Sequence, residues 1–133
     1  MHQNVLAGRP QANAELAVKD VKSDENGEVR TGRRAFVETI AATKQGSGAF
    51  PVKQIHDEFI LSDGHLGQVE YVWQGAQVGE YAGRAPDGKV IRMRGMLFFE
   101  FDAQGLVEKV VSVFDERVVM EQLESNATYY LYP

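Results

Sequence analysis

The sequence predicts an α+β domain, with helices segregated to one face of a curved antiparallel sheet. A short stretch from Thr31 places apolar residues at helical spacing, and from Val52 onward the period changes to two. Three turn signatures, Ser62-Asp63-Gly64, Pro86-Asp87-Gly88 and Ala103-Gln104-Gly105, divide the later extended runs. The segment from Gly75 to Asp115 is the most informative, because it combines two of these turns with a run crowded by aromatic residues.

In chain order, residues 1–30 are the least regular. Ala14 to Lys22 alternates loosely, and Leu16, Val18 and Val21 fit either a strand or a weak helix. Ser23-Asp24-Glu25-Asn26-Gly27 reads as a polar turn or exposed loop. From Thr31 to Lys44 an amphipathic helix is expected, with Phe36, Val37 and Ile40 on one face, Thr31 capping its start and Gly46 ending it. Val52 to Leu61 and Gly67 to Gln74 are strand-like, the second with Val69, Tyr71 and Trp73 on one face. Ala76 to Ala82 is short and glycine-rich, as at a bulge or sharp bend. Val90 to Phe101 and Leu106 to Phe114 complete four or five sequential antiparallel strands.

Length and composition set the class. A chain of 133 residues is the size of one domain with one core, and 44% hydrophobic with 25% charged residues is ordinary for a soluble protein. A net charge of −5 with scattered basic residues argues against nucleic-acid binding. The one basic cluster, Arg30, Arg33 and Arg34, reads as a solvated helix start. There is no cysteine, which excludes disulfide and thiolate chemistry and suits a reducing cytoplasm. No apolar run approaches the roughly 20 residues of a membrane helix, and the start lacks the layout of a signal peptide. Neither a membrane nor nucleic acid is expected as a partner.

The order Gly75, Gly79, Tyr81, Gly83, Pro86, Gly88, Lys89, Gly95, Phe98-Phe99 and Phe101, continuing through Gly105 into Val113-Phe114-Asp115-Glu116, resembles the SnoaL-like polyketide cyclases. That family lies in the nuclear-transport-factor-2-like superfamily, together with ketosteroid isomerase and limonene epoxide hydrolase. The similarity covers about residues 52–123, with Val118 to Leu123 matching a short helical tail. It implies a single domain over residues 1–133, a cone-shaped roll in which a strongly bent antiparallel sheet wraps around helices and an apolar cavity. It also implies a homodimer through the outer sheet face, a small apolar cyclic or polyketide-like ligand, and no cofactor or metal. Met1-His2-Gln3-Asn4-Val5 resembles the segment that follows the family's first helices, so the family's first helix is unmatched and residues 1–30 are atypical.

Position by position, the residues that carry the family's chemistry are replaced. The histidine of its Gly-Thr-His-x-Gly pattern is Gln77, the pocket-facing acid of Gly-x-Asp-Phe-Phe is Leu97, and the His-Trp of Glu-His-Trp is Val110-Val111. A cyclase or isomerase needs a base beside the carbonyl and a donor for the enolate. Leucine and valine supply neither, and glutamine supplies only a donor. The remaining candidates are Gln77 as an orienting donor and Asp115 or His2 as the acid/base, although Asp115 equally suits capping of the following helix. Asn4, Tyr71, Trp73, Tyr81, Met93, Leu97 and Phe99 are expected to line the cavity, and for the aromatic residues plain core packing is the competing reading. Arg92, Arg94 and Glu100 alternate with these on what reads as an outer face. His56 and His65 lack the acidic neighbours a metal site needs. Two functions follow: a cofactor-independent cyclase- or isomerase-type enzyme, or a non-catalytic ligand-binding or dimeric interaction module.

Overall fold

A computed structural model describes residues 1–7, 9–41, 52–81 and 83–124. A short helix α1 (His2–Leu6) and a 3₁₀ segment (Pro10–Leu16) lead into strands β1 (Ala17–Glu25) and β2 (Glu28–Thr31). Helix α2 (Arg33–Ile40) follows, then β3 (Val52–Ser62), β4 (Leu66–Ala76), β5 (Val90–Phe101), β6 (Val107–Phe114) and helix α3 (Glu116–Glu124). The strands form one curved sheet in the order β2-β1-β6-β5-β4-β3.

Alternation along β5 makes the two faces of the sheet. Ile91, Met93, Leu97 and Phe99 are buried, whereas Arg92, Arg94, Phe98 and Glu100 are exposed, so the charged residues lie on the outer face as their spacing implies. The inner residues join Val21, Phe36, Ile40, Val110, Val119 and Leu123 in one core between the sheet and the helices. Phe36 and Ile40 are buried one turn apart on α2, the face predicted from their spacing, with Val37 half-buried beside them.

The end of β5 shows how α3 is held. β6 pairs with β5 only from Gly95 to Phe101, so the backbone of Arg92 needs another partner on that edge. Gln122 of α3 provides it: its Oε1 accepts from Arg92 N at 2.8 Å and its Nε2 donates to Arg92 O at 2.5 Å. A side-chain amide here takes the place of the missing strand.

Several expectations for the first third of the chain are corrected. The sheet is mixed, because β1 runs parallel to β6, with Lys22 opposite Lys109 and Asp24 opposite Val111. The polar Ser23–Gly27 stretch is strand through Glu25, and the turn is only Asn26-Gly27, both at positive φ. A polar strand holds there because its backbone is paired on both sides from Lys22 to Glu25, with β2 on one edge and β6 on the other. Thr31 lies in β2, where its hydroxyl accepts from Lys22 Nζ at 2.9 Å, and Gly32 takes the helix-capping position. Arg30 and Arg34 both bond Glu38, and Arg33 reaches the Ala17 carbonyl. Further on, the glycine-rich segment after Ala76, read as a bulge or sharp bend, leaves the sheet, and its described residues include an isolated bridge between Tyr81 and Arg84. Gly46, the Asn126-Ala-Thr pattern and the aromatic tail from Thr128 lie outside the described residues.

Candidate active site

The site forms where the start of the chain meets β3 and β4. Antiparallel pairing sets Asp57 of β3 directly opposite Tyr71 of β4, so the two side chains share the inner face. Helix α1 has five residues, too few to be stable alone. Two asparagines hold it: Asn4 Nδ2 donates to Asn13 Oδ1 at 2.8 Å, and the fully buried Asn13 donates back to the Met1 carbonyl at 3.2 Å. This lock places His2 so that its Nδ1 lies 2.5 Å from Asp57 Oδ1. The imidazole also meets the Tyr71 ring edge-on, with centroids 4.7 Å apart at 62°. His2 is buried, at 6% exposure, while the Asp57 side chain keeps 32%.

Tyr71 forms the back of this arrangement. Its phenol end lies over Gly95, the residue opposite it on β5, where an added Cβ would run into it. Its hydroxyl bonds the buried Ser112 side chain. Burial pushes the phenol pKa up to about 12, with the charges of Glu25 and Asp57 adding to the rise and the Ser112 bond opposing it.

In front of the pair is a pocket of about 210 Å³. His2 and Asp57 line it together with Val69, Leu97, Phe99 and Phe101. The Phe99 and Phe101 rings stack with centroids 5.9 Å apart and 19° between planes. Phe101 lies close to the β4 backbone because Gly67 has no side chain, and a Cβ there would come within 2.9 Å of the ring. Gln68 and Ser62 are the other polar residues along the wall. Among the described residues, no group of three or more histidines, cysteines and acids is placed to hold a metal ion.

Of the residues singled out from the sequence, the pocket brings together His2, Leu97 and Phe99, with Tyr71 packed behind His2. Met93 is buried in the core and does not line this pocket. Asn4 acts one step back, through Asn13. Tyr81 is half-buried in the loop after β4, and the Trp73 and His56 side chains lie outside the described residues. Gln77 is buried, and its amide hydrogens go to the carbonyls of Gly79 and Arg84 at 3.0 and 3.1 Å, which ties the loop to itself. Asp115 is exposed at the start of α3, where its carboxylate accepts from Arg117 N at 3.0 Å and pairs with the guanidinium. The Arg117 bonds hold the Asp115 carboxyl below the usual carboxylate range. Neither Gln77 nor Asp115 faces the pocket.

Sequence reasoning missed Asp57, the partner that makes His2 interesting. The sequence carried little signal for it: Glu58 follows directly, and a register shift between Asp57 and Phe59 breaks the alternation that would mark the inner face.

No protein-family model and no curated protein matches the chain. Solved structures do match it. Against IdmH from Streptomyces antibioticus, a candidate polyketide cyclase, the TM-score is 0.76 at 18% identity, covering 92% of each chain. A SnoaL-like polyketide cyclase from Agrobacterium tumefaciens gives 0.68 at 15% identity, over 91% of this chain and 90% of that one. A protein of ketosteroid-isomerase-like fold from Catenulispora acidiphila, in complex with trimethylamine, gives 0.68 at 15% identity, over 90% and 85%. The chain therefore has the SnoaL-like, ketosteroid-isomerase-like fold that its 75–115 segment implies.

Proposed function

We propose that the protein is a cofactor-independent enzyme of the isomerase or cyclase type, acting on a small apolar carbonyl compound in the cytoplasm as a homodimer. The observation that carries this reading is the His2–Asp57 pair, 2.5 Å apart on the wall of an otherwise largely apolar pocket. Asp57 accepts the Nδ1 proton of His2, which fixes the tautomer with its lone pair on Nε2. Nε2 then removes a proton from the carbon beside the substrate carbonyl. The C–H electrons form the enolate double bond, and the carbonyl oxygen takes the negative charge. Gln68 and Ser62 supply donors for that oxygen, the Ser62 hydroxyl being free to donate because its oxygen accepts from Gly64 N at 3.2 Å. Return of the proton from His2 to a different carbon completes an isomerisation, and attack of the enolate carbon on a second carbonyl completes a cyclisation.

The acid and histidine that the resemblance places at positions 97, 77 and 110 are absent, and His2 with Asp57 takes over their work from another part of the cone. Deuterium exchange beside the carbonyl of acetophenone, followed by NMR in deuterium oxide, tests the assignment. Asp57→Asn keeps the shape but removes the negative charge that orients His2. It is expected to lower the catalysed exchange by about a hundredfold or more while leaving acetophenone affinity within a fewfold. Unchanged exchange in folded Asp57→Asn and His2→Gln proteins would return the pocket to the non-catalytic binding reading.

A further inference from the structure

We infer that the second copy of the homodimer docks over the Leu61–Phe98 end of the outer sheet face and closes the mouth of the His2–Asp57 pocket. The site is then complete only in the dimer, an inference that rests on the pocket and the homodimer proposed above. The pocket is open where β3 ends. Ile60 and Leu61 line it there, yet they are 66% and 59% exposed. Apolar side chains that wall a site and also face water leave part of an apolar ligand wet.

Leu61 belongs to a second surface as well. It lies opposite Gln68, Gln68 opposite Phe98 and Phe98 opposite Val111, so these four form one row across β3, β4, β5 and β6. Leu66, two residues before Gln68, is 50% exposed and lines one outer hollow together with Leu61 and Phe98. Ile60 alternates to the pocket side, but β3 is the edge strand, and among the described residues no strand pairs beyond it. The outer face and the pocket mouth therefore meet at one edge.

The size of a stable interface decides how far the second copy reaches. Such interfaces cover about 800 Å² of each partner, a disc extending roughly 16 Å from its centre. Leu61 is two strands from Phe98, about 10 Å at the usual strand spacing. An interface centred on Phe98 thus covers Leu61 and Leu66 and overhangs the edge of β3 beside Ile60. Glu100 and Lys109 face each other on the neighbouring rung and give the patch both signs of charge. That suits two identical patches meeting about a two-fold axis, which closes both pockets together.

The chain has no cysteine, so Leu61→Cys introduces a single thiol whose labelling by a maleimide reports whether the edge is covered. Labelling should slow about tenfold or more as rising concentration carries the variant from monomer to dimer in analytical ultracentrifugation. Val78→Cys, exposed in the loop beyond the far end of β4, should label at one rate throughout. Acetophenone should bind the wild-type dimer about tenfold more tightly than the folded Phe98→Glu monomer, since closure buries roughly 55 Å² more of its apolar surface. Phe98 itself does not line the pocket. Rapid labelling of Leu61→Cys in the dimer overturns the inference and leaves the homodimer and the acid–base reading standing. Equal acetophenone affinity of monomer and dimer overturns it too. A protein that is monomeric at every concentration overturns the inference and the homodimer together, and proton exchange then judges the acid–base reading by itself. Binding that follows dimerisation without proton exchange upholds closure and overturns the acid–base reading.

Discussion

Tyr71 carries its hydroxyl into a place where the phenolate form would be poorly solvated. Its pKa, pushed up from 10.0 to about 12, means that folding favours the neutral phenol. The stabilisation is fully present below pH 10 and is lost as the pH rises through about 12. Absorbance titration of the folded protein should show one tyrosine ionising late, and Tyr71→Phe should remove that late step. The variant should remain folded, because the phenyl ring still covers Gly95, at a cost of about 1 kcal/mol for the Ser112 hydroxyl left without its partner. A late step that survives in Tyr71→Phe would show that the burial lies elsewhere. Gly95 and Tyr71 are one unit in this sense, since the absence of a side chain at one makes room for the ring of the other.

At the scale of elements, the long strands follow from the sequence and the attachments between them do not. Val90–Phe101 is read correctly to the residue, because Arg92, Arg94 and Glu100 share one parity and fix which face of the strand is buried. The bond between α3 and β5 runs through Gln122 and Arg92, thirty positions apart, and glutamine in an amphipathic helix carries no sign of it. Gln122→Ala should lower unfolding stability by about 1–3 kcal/mol, since it removes the two bonds that Gln122 makes to the Arg92 amide and carbonyl. Urea denaturation measures this, with Val118→Ala on the exposed side of the same helix expected to change stability by less than about 0.5 kcal/mol. Equal effects of the two substitutions would mean that the amide clamp contributes nothing. The short helix α1 obeys the same logic. Its five residues stay in place through the Asn4–Asn13 and His2–Asp57 contacts, none of which is visible as a local pattern.

For the whole molecule, the outer face of the sheet presents Phe98 and Val113, 38% and 40% exposed, beside half-buried Met96 and Val111. Contiguous apolar surface of this kind on a sheet face is usually covered, which supports the homodimer proposed above. Phe98→Glu should convert the dimer to a monomer in analytical ultracentrifugation without altering the circular dichroism spectrum, because the side chain already points away from the core. A wild-type protein that sediments as a monomer at micromolar concentration would rule the dimer out. The described helices contain no segment long and apolar enough to cross a membrane.

What the sequence determined by itself was the roll. Periodicity, turn residues and the spacing of glycines and phenylalanines are local properties, and they specify strands, turns and the two faces of the sheet without knowledge of distant contacts. It also determined that the usual acid and histidine positions are empty, since Leu97, Gln77 and Val110 can be read off directly. The site was decided by tertiary structure. His2 and Asp57 are separated by 55 positions, and neither is unusual in its own neighbourhood. Their meeting depends on β3 pairing with β4 in one register and on an asparagine lock that turns α1 toward the sheet. Side-chain chemistry of this kind depends on distances of a few ångströms between remote segments, and only the folded chain fixes them.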